Sequence, residues 1–142
     1  MASGLADYAS EIRPRSGGAL WDLFSDEVDA SDITSMISVN GKGAILGGFV
    51  FLDSAASQKN GLVRLKIDGV FIAGLAFHVM VEFGISKPWT HPLYLLCYDE
   101  QDYKYSIGLS GGITFEESFE LLYEESDGAT PLVVAYVNYA VL

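Results

Sequence analysis

Carboxylates are the side chains with the widest chemical scope in this sequence, and six of them fall within residues 111–128 without a lysine or arginine. They are Glu116, Glu117, Glu120, Glu124, Glu125 and Asp127. A general acid–base pair needs at least one carboxyl group whose pKa is shifted by burial or by a close partner. Like charges alternating along one element offer neither. We therefore predict that this acidic stretch is a solvated face, and we assign no catalytic residue to it.

Calcium is the ion that acidic runs of this kind could bind, because it takes six to eight oxygen ligands. Two further runs, SDEVDASD and YDEQD, carry the carboxylates of Asp26, Glu27, Asp29, Asp32, Asp99, Glu100 and Asp102. Neither run contains glycine, and neither matches the twelve-residue calcium loop. We predict no metal and no cofactor, while a calcium site assembled between loops stays an open alternative.

Nucleophiles are few. The single cysteine, Cys97, lies in the apolar run PLYLLCYDE and is predicted to be a buried thiol. Only His78 and His91 could serve as its base. Ser110 has glycines two residues before and after it. A nucleophile elbow also needs an α/β sheet with a following helix, and the pattern of this sequence does not predict one. We therefore expect a protein that is not an enzyme.

The charge balance bears on possible partners. Nineteen acidic against eight basic residues give a net charge of −11, which would repel the phosphates of nucleic acid. The apolar runs are shorter than the roughly 20 residues of a membrane-spanning helix, and residues 1–18 lack the apolar run of a signal peptide. We expect a soluble protein made in a cytosol, able to dock on a basic patch of a partner.

Turn signals and period-two patterns predict the elements that position these side chains. Asn-Gly or Asp-Gly, typical of tight hairpins, occurs at residues 40–41, 60–61, 68–69 and 127–128. Alternation between these turns predicts an all-β chain of about eight strands. They cover residues 34–40, 44–53, 62–68, 70–77, 79–85, 93–99, 103–109 and 115–124, and residues 132–142 close the set as an eighth or ninth.

Two segments allow more than one interpretation. Residues 70–85 could be one strand bent at Gly74 or two strands. Residues 115–124 fit either a helix or a strand, and the strand is favoured because Asp127-Gly128 asks for a strand on each side. In the strand, the apolar face is shared by Phe115, Phe119, Leu121 and Tyr123. The last strand is apolar on both faces, so we predict that it is central or is covered by a partner.

The N-terminal segment differs from the rest in having little alternation. We predict an arm over residues 1–32 and a sandwich domain over residues 33–142, with a helical turn in LWDLFSDEVD. The arm either packs locally or reaches a neighbouring subunit. The predicted partner contacts are Arg13, Arg15, Trp21, Phe24, Tyr136 and Tyr139.

Three stretches, VRLKIDGVFIAG, PLYLLCYDEQDYKYSIGLSGGITFEESFELLYEE and VVAYVNYAVL, carry a resemblance over roughly residues 34–142. In strand and turn pattern the chain resembles the small jelly-roll virion proteins of tailed phages, the head decoration or cement proteins. The resemblance implies a single jelly-roll-like antiparallel β-sandwich of about eight strands. It also implies a dimer or trimer on the virion head surface that clamps major capsid subunits. It places no functional residue.

A second function class fits the same fold. Seven of the eight tyrosines follow residue 93, in YDEQDYKYSIG and VVAYVNYAVL among other places, where aromatic rings could line a groove for a sugar. Tyrosine is also common in strands and at interfaces for reasons of packing alone. A carbohydrate- or receptor-binding module is therefore the alternative to a structural virion protein, with Tyr103 and Tyr105 as its test residues.

Overall fold

The computed structural model describes residues 20–28 and 33–142, and most of these residues lie in strands. The strands are β1 (Leu20–Glu27), β2 (Ile33–Asn40), β3 (Gly43–Asp53), β4 (Leu62–Ile67), β5 (Val70–Ala76), β6 (Leu93–Asp99), β7 (Lys104–Leu109), β8 (Ile113–Phe115), β9 (Ser118–Glu124) and β10 (Leu132–Val141). A helix, α1 (Phe77–Phe83), connects β5 to β6. No helix within the described ranges is long and apolar enough to cross a membrane.

The strands form two antiparallel sheets packed face to face. Sheet A has the order β1-β10-β3-β7-β6, with the short β8 paired to β3, and sheet B has the order β2-β9-β4-β5. The first and last strands are therefore neighbours in sheet A, and the second and next-to-last strands are neighbours in sheet B. This nesting is the strand order of a jelly roll. The predicted all-β, jelly-roll-like sandwich is confirmed.

The core lies between the sheets and follows the period-two pattern. In β10, Val133, Ala135 and Val137 are fully buried and alternate with half-exposed residues, so the strand is central, as predicted. The strand interpretation of residues 115–124 is confirmed by β8 and β9. The predicted apolar face, Phe115, Phe119, Leu121 and Tyr123, is buried in the core. Full burial of one such side chain stabilises the fold by about 1.5–3 kcal/mol.

One predicted strand is wrong: residues 77–83 form α1, where we predicted a strand over 79–85. Phe77 and Met80 lie three residues apart on its buried face. Gly84 ends the helix at φ 68°, and the N–H groups of Gly84 and Ile85 donate to the carbonyls of Val81 and Met80. This is a Schellman cap, which glycine favours because it has no Cβ. The apolar residues of this segment fit either period, and packing between two sheet edges selects the helix.

Only one of the four predicted turn dipeptides closes a hairpin. Asp68 (φ 51°) and Gly69 (φ 82°) join β4 to β5 in a tight turn in which both central residues have positive φ. Gly41 and Gly128 also have positive φ, but the strands on either side of them belong to different sheets. The hairpin predicted around residues 127–128 is therefore wrong, because this turn carries the chain from sheet B to sheet A.

The segment predicted to be an arm contains a strand. Residues 20–27 form β1, which pairs along its whole length with β10, so the helical turn predicted there is wrong. The remaining parts of the predicted arm, residues 1–19 and 29–32, lie outside the described residues. They include Arg13 and Arg15, two of the predicted partner contacts.

Candidate docking face

The outer surface of sheet A carries an apolar row that crosses the sheet. Strand pairing aligns Leu23, Tyr136, Phe49, Gly108 and Tyr94 on consecutive strands, from β1 through β10, β3 and β7 to β6. A Cβ on Gly108 would lie 2.3 Å from Cζ of Tyr94, which shows that the Tyr94 ring covers this glycine. The row is therefore continuous across the sheet.

Stacked rings hold the central part of this row in place. The Tyr136 ring lies between Phe49, at 5.7 Å between ring centroids, and Trp21, at 6.0 Å, with interplanar angles of 24° and 28°. Aromatic pairs of this kind add about 0.5–1.5 kcal/mol beyond the area they bury. Trp21 is nevertheless 60% exposed and Leu23 56%. We call Trp21, Leu23, Phe49, Tyr94 and Tyr136 the aromatic face.

Among the paired rows of the described strands, the charged row lies at one end of this surface. The row beside the aromatic face consists of Ser25, Val134, Phe51, Ser106 and Cys97, which are uncharged. At the strand ends beyond it lies a row that contains Glu27, Asp53, Lys104 and Asp99. An uncharged aromatic surface with an acidic border suits a partner that is apolar in the middle and basic at the rim.

Sheet B presents a different outer surface, in which ion pairs predominate and the exposed Phe71 ring lies against their cations. Arg64 lies 3.1 Å from Glu124, and Lys66 lies 4.0 Å from Glu120, which also accepts a hydrogen bond from Ser35. Because these charges are matched within the sheet, the alternating carboxylates of β9 form a solvated, paired face. The two sheets therefore differ in the chemistry that they offer a partner.

The predicted partner contacts divide between the two sides of sheet A. Trp21 and Tyr136 stack on the outer surface, where a partner can reach them. Phe24 packs against the core instead. Tyr139 is 8% exposed, and its hydroxyl donates to Asp22 over 3.4 Å. Burial and the nearby Asp22 raise the pKa of Tyr139.

Sequence reasoning missed Leu23, Phe49 and Tyr94 as members of this face. A signal was present for Phe49, because GFVFL in β3 is apolar at both alternating sets of positions, as in β10. A strand that is apolar on both faces, in an antiparallel sheet with one side open to solvent, marks a surface that a partner can cover.

One carboxylate of the acidic stretch is buried, contrary to the prediction that the stretch is solvated. Glu125 is 3% exposed, and its Oε1 accepts a 2.9 Å bond from the hydroxyl of Tyr123. Its Oε2 accepts bonds from the backbone N–H groups of Asp127 and Ala129. Burial, followed by the charge of Glu125, raises the pKa of Tyr123. This arrangement seals one end of the sandwich and uses the acceptor capacity of the carboxylate.

The tyrosines proposed to line a sugar groove do not lie together on a surface. Tyr105 is fully buried and donates a 2.6 Å bond to Glu100; burial and this bond raise its pKa to about 12. Tyr103 has a positive φ of 55° in the turn before β7. The acidic run beside them is also engaged locally, because Asp99 accepts N–H bonds from Asp102 and Gln101, which lower its pKa.

The residues considered as metal ligands and nucleophiles do not form a site in the described structure. In the part of the chain that the structure describes, no group of three or more His, Cys, Asp or Glu residues could hold a metal ion. Cys97 is exposed on β6, so the prediction of a buried thiol is wrong. It follows Leu96, which bulges out of the pairing with β7 and turns the next side chain outward. The hydroxyl of Ser110 donates to the carbonyls of Pro88 and His91 and so anchors the loop between α1 and β6.

A shallow groove of about 360 Å³ lies beside β5; its lining residues are Arg64, Phe71, Ile72, Ala73, Gly74 and His91. The guanidinium group of Arg64 is shared between the Glu124 carboxylate and the Phe71 ring, whose centroid is 5.3 Å away. Since this cation already has its anion, the groove has little electrostatic attraction for a charged ligand. The aromatic face is the stronger candidate for a functional surface.

No protein-family model matches the chain, and no curated protein matches it at a significant level.

Proposed function

We propose that this chain is a non-enzymatic structural protein of a tailed-phage virion, a head decoration protein that binds and stabilises major capsid subunits as an oligomer. The observation that carries the proposal is the uncharged aromatic face on sheet A, in a chain whose net charge is −11. The jelly-roll strand order supports it by analogy of fold, which alone would not assign a function.

The aromatic face fits a capsid surface of a specific kind. The exposed rings offer area that a partner can bury, and aromatic anchors often dominate the energy of such contacts. The acidic border requires lysine or arginine around the rim of the partner surface. A broad, flat contact of this type clamps neighbouring subunits without any covalent chemistry.

Co-sedimentation with heads of the phage that encodes the chain tests the proposal. We expect the purified protein to bind heads, and Phe49→Ala to weaken binding by about tenfold or more, because it removes a central ring of the aromatic face. Phe83→Ala is the matched control: Phe83 is 69% exposed on α1 and does not belong to the aromatic face. Its binding should equal that of the wild type. Wild-type protein that stays in the supernatant would refute the proposal.

A carbohydrate- or receptor-binding module is the second candidate. The exposed ring of Trp21 favours it, since an exposed aromatic face can also stack on a pyranose ring. A glycan array distinguishes the two functions. Saturable binding of the wild type to one glycan, lost in Trp21→Ala, would favour the carbohydrate module if the wild type also fails to bind phage heads.

A further inference from the structure

The two sheets have four lateral edges, and three of them are irregular. The edge strands β2, β5 and β6 each lose register with their neighbour at one residue: Met36, Ile72 and Leu96, respectively. Such bulges twist an edge and protect it from pairing with another chain. The bulges therefore disfavour strand addition at these three edges.

The fourth edge, β1, has no bulge. All eight residues of β1 pair with β10 without a register shift, and the strand contains no lysine or proline, although it carries three acidic residues, Asp22, Asp26 and Glu27. Its other edge pairs with no strand in the described ranges. Trp21 and Leu23, more than half exposed, lie on the outer surface beside this edge. A long, regular and partly apolar edge is the geometry that accepts another strand.

We infer that β1 pairs antiparallel with β1 of a second copy of this chain and joins the two copies of sheet A into one continuous sheet. The inference deepens the proposed function, because it specifies the contact within the proposed oligomer. A second copy is the natural occupant, because an edge that pairs antiparallel with itself around a twofold axis forms a closed dimer.

Charge selects one register for this pairing. Residues directly opposite each other must share a face, so outward residues oppose outward residues. With Leu23 opposite the partner's Leu23, Trp21 opposes the partner's Ser25 and Asp22 opposes the partner's Phe24. Moving the register by two residues places Asp22 opposite either Asp22 or Asp26 of the partner copy, and like charges in direct opposition destabilise a strand pair. Leu23 therefore lies on the twofold axis.

The dimer would extend the aromatic face. Leu23 is the outermost member of the row that continues through Tyr136 and Phe49. Pairing at β1 places the two rows end to end, so one uninterrupted apolar band crosses both copies. The capsid-binding surface is doubled, and the exposed edge of β1 is removed from solvent.

Disulfide trapping tests the register. In a Cys97→Ser background, Leu23→Cys should form a covalent dimer under mild oxidation, because opposite Cα atoms lie about 4.5–5.5 Å apart, within the disulfide range. Trp21→Cys alone should not, since its symmetry mate lies about 13 Å away along the strand. An equimolar mixture of Trp21→Cys and Ser25→Cys should cross-link. Equal cross-linking of Trp21→Cys and Leu23→Cys alone would overturn the register.

Light scattering tests the dimer itself. The wild type should have the mass of a dimer, and Leu23→Lys should be a monomer with an unchanged far-ultraviolet circular dichroism spectrum, because lysine on an edge opposes pairing. A monomeric wild type would overturn the inference. Head binding is measured separately, so a dimer that does not bind heads refutes the proposed function. A monomer that binds heads refutes the β1 contact and the oligomeric state, but not the binding to capsid subunits.

Discussion

Asp68 joins two distant turns through a single carboxylate. It sits at φ 51° in the turn between β4 and β5, and its Oδ1 accepts backbone N–H bonds from Glu116, Glu117 and Ser118. These bonds, led by the one from Glu117, lower the pKa of Asp68. Its own N–H donates to the carbonyl of Ser118. The ionised side chain therefore fixes the turn between β8 and β9 in place.

Asp68→Asn should lower thermal stability at neutral pH and make the acid limb of the stability curve shallower. The folded pKa of Asp68 lies below its unfolded value of 3.8, so its contribution is complete above 3.8 and is lost as pH falls through the folded pKa. Asparagine tolerates the positive φ, so the turn should persist. Circular dichroism melts from about pH 7 to about pH 2 measure the effect. A gap between variant and wild type that is constant over this range would contradict the expectation.

Individual side chains were the hardest features to predict from the sequence. The face of β9 followed directly from alternation, as Phe119, Leu121 and Tyr123 show. The burial of Glu125 did not, because it depends on where the turn after β9 folds back over the sheet end. The exposure of Cys97 depends on a bulge at Leu96 that no local pattern marks. Both outcomes are set by tertiary contacts.

At the scale of strands, β3 and β10 approach more closely than most side chains permit. A Cβ on Gly48 would lie 2.3 Å from the carbonyl oxygen of Tyr136, an atom of the backbone that cannot rotate away. This close approach occurs near the irregularity between Asn138 and Tyr139. Glycine at position 48 thus allows these two neighbouring strands of sheet A to lie close together.

Gly48→Ala should destabilise the protein by about 2–4 kcal/mol, because strands β3 and β10 must separate to admit the methyl group. Gly74→Ala is the matched control within sheet B. Its Cβ would come closest to Cγ of the flexible Arg64 side chain, at 3.1 Å, and the nearest backbone atom, the carbonyl oxygen of Val63, would lie at an ordinary contact distance of 3.6 Å. We expect a change of less than about 1 kcal/mol. Urea unfolding followed by circular dichroism measures both. Similar losses for the two variants would show that the approach at Gly48 is not the cause.

The order of the strands and the position of the helix could be predicted only in part. Dipeptides such as Asp127-Gly128 mark a change of direction, but they do not say whether the next strand joins the same sheet. In α1 the useful signal was Gly84 followed by Ile85, which is the pattern of a helix C-terminus. Our prediction followed the alternating apolar residues and did not use that signal.

At the scale of the whole molecule, the two outer surfaces differ in their charges and in their exposed rings. Sheet B matches its charges internally, whereas sheet A leaves aromatic rings uncovered beside an acidic border. A net charge of −11 gives long-range attraction to a basic partner, while the rings supply short-range contact. Under the proposed function, the rate of association and the rate of dissociation would therefore depend on different groups.

If the proposed function is correct, raising the salt concentration should slow association with phage heads and leave dissociation nearly unchanged. The Debye length falls from about 10 Å at 0.1 M to about 3 Å at 1 M. Salt therefore screens the charges of the acidic border but has little effect on ring contacts that the partner has covered. Phe49→Ala should do the opposite and speed dissociation at every salt concentration. Stopped-flow or biosensor kinetics measure both rates. Association that quickens with added salt would exclude a basic partner surface.

The position of Trp21 has a spectroscopic consequence. The chain has two tryptophans, and Trp21 and Trp89 are 60% and 79% exposed in the folded protein. Their fluorescence therefore responds weakly to unfolding, since both indoles already contact water. Burial of Trp21 against another molecule would shift its emission to the blue. In a Trp89→Phe background the protein therefore carries its own optical probe, which responds weakly to folding and strongly to assembly.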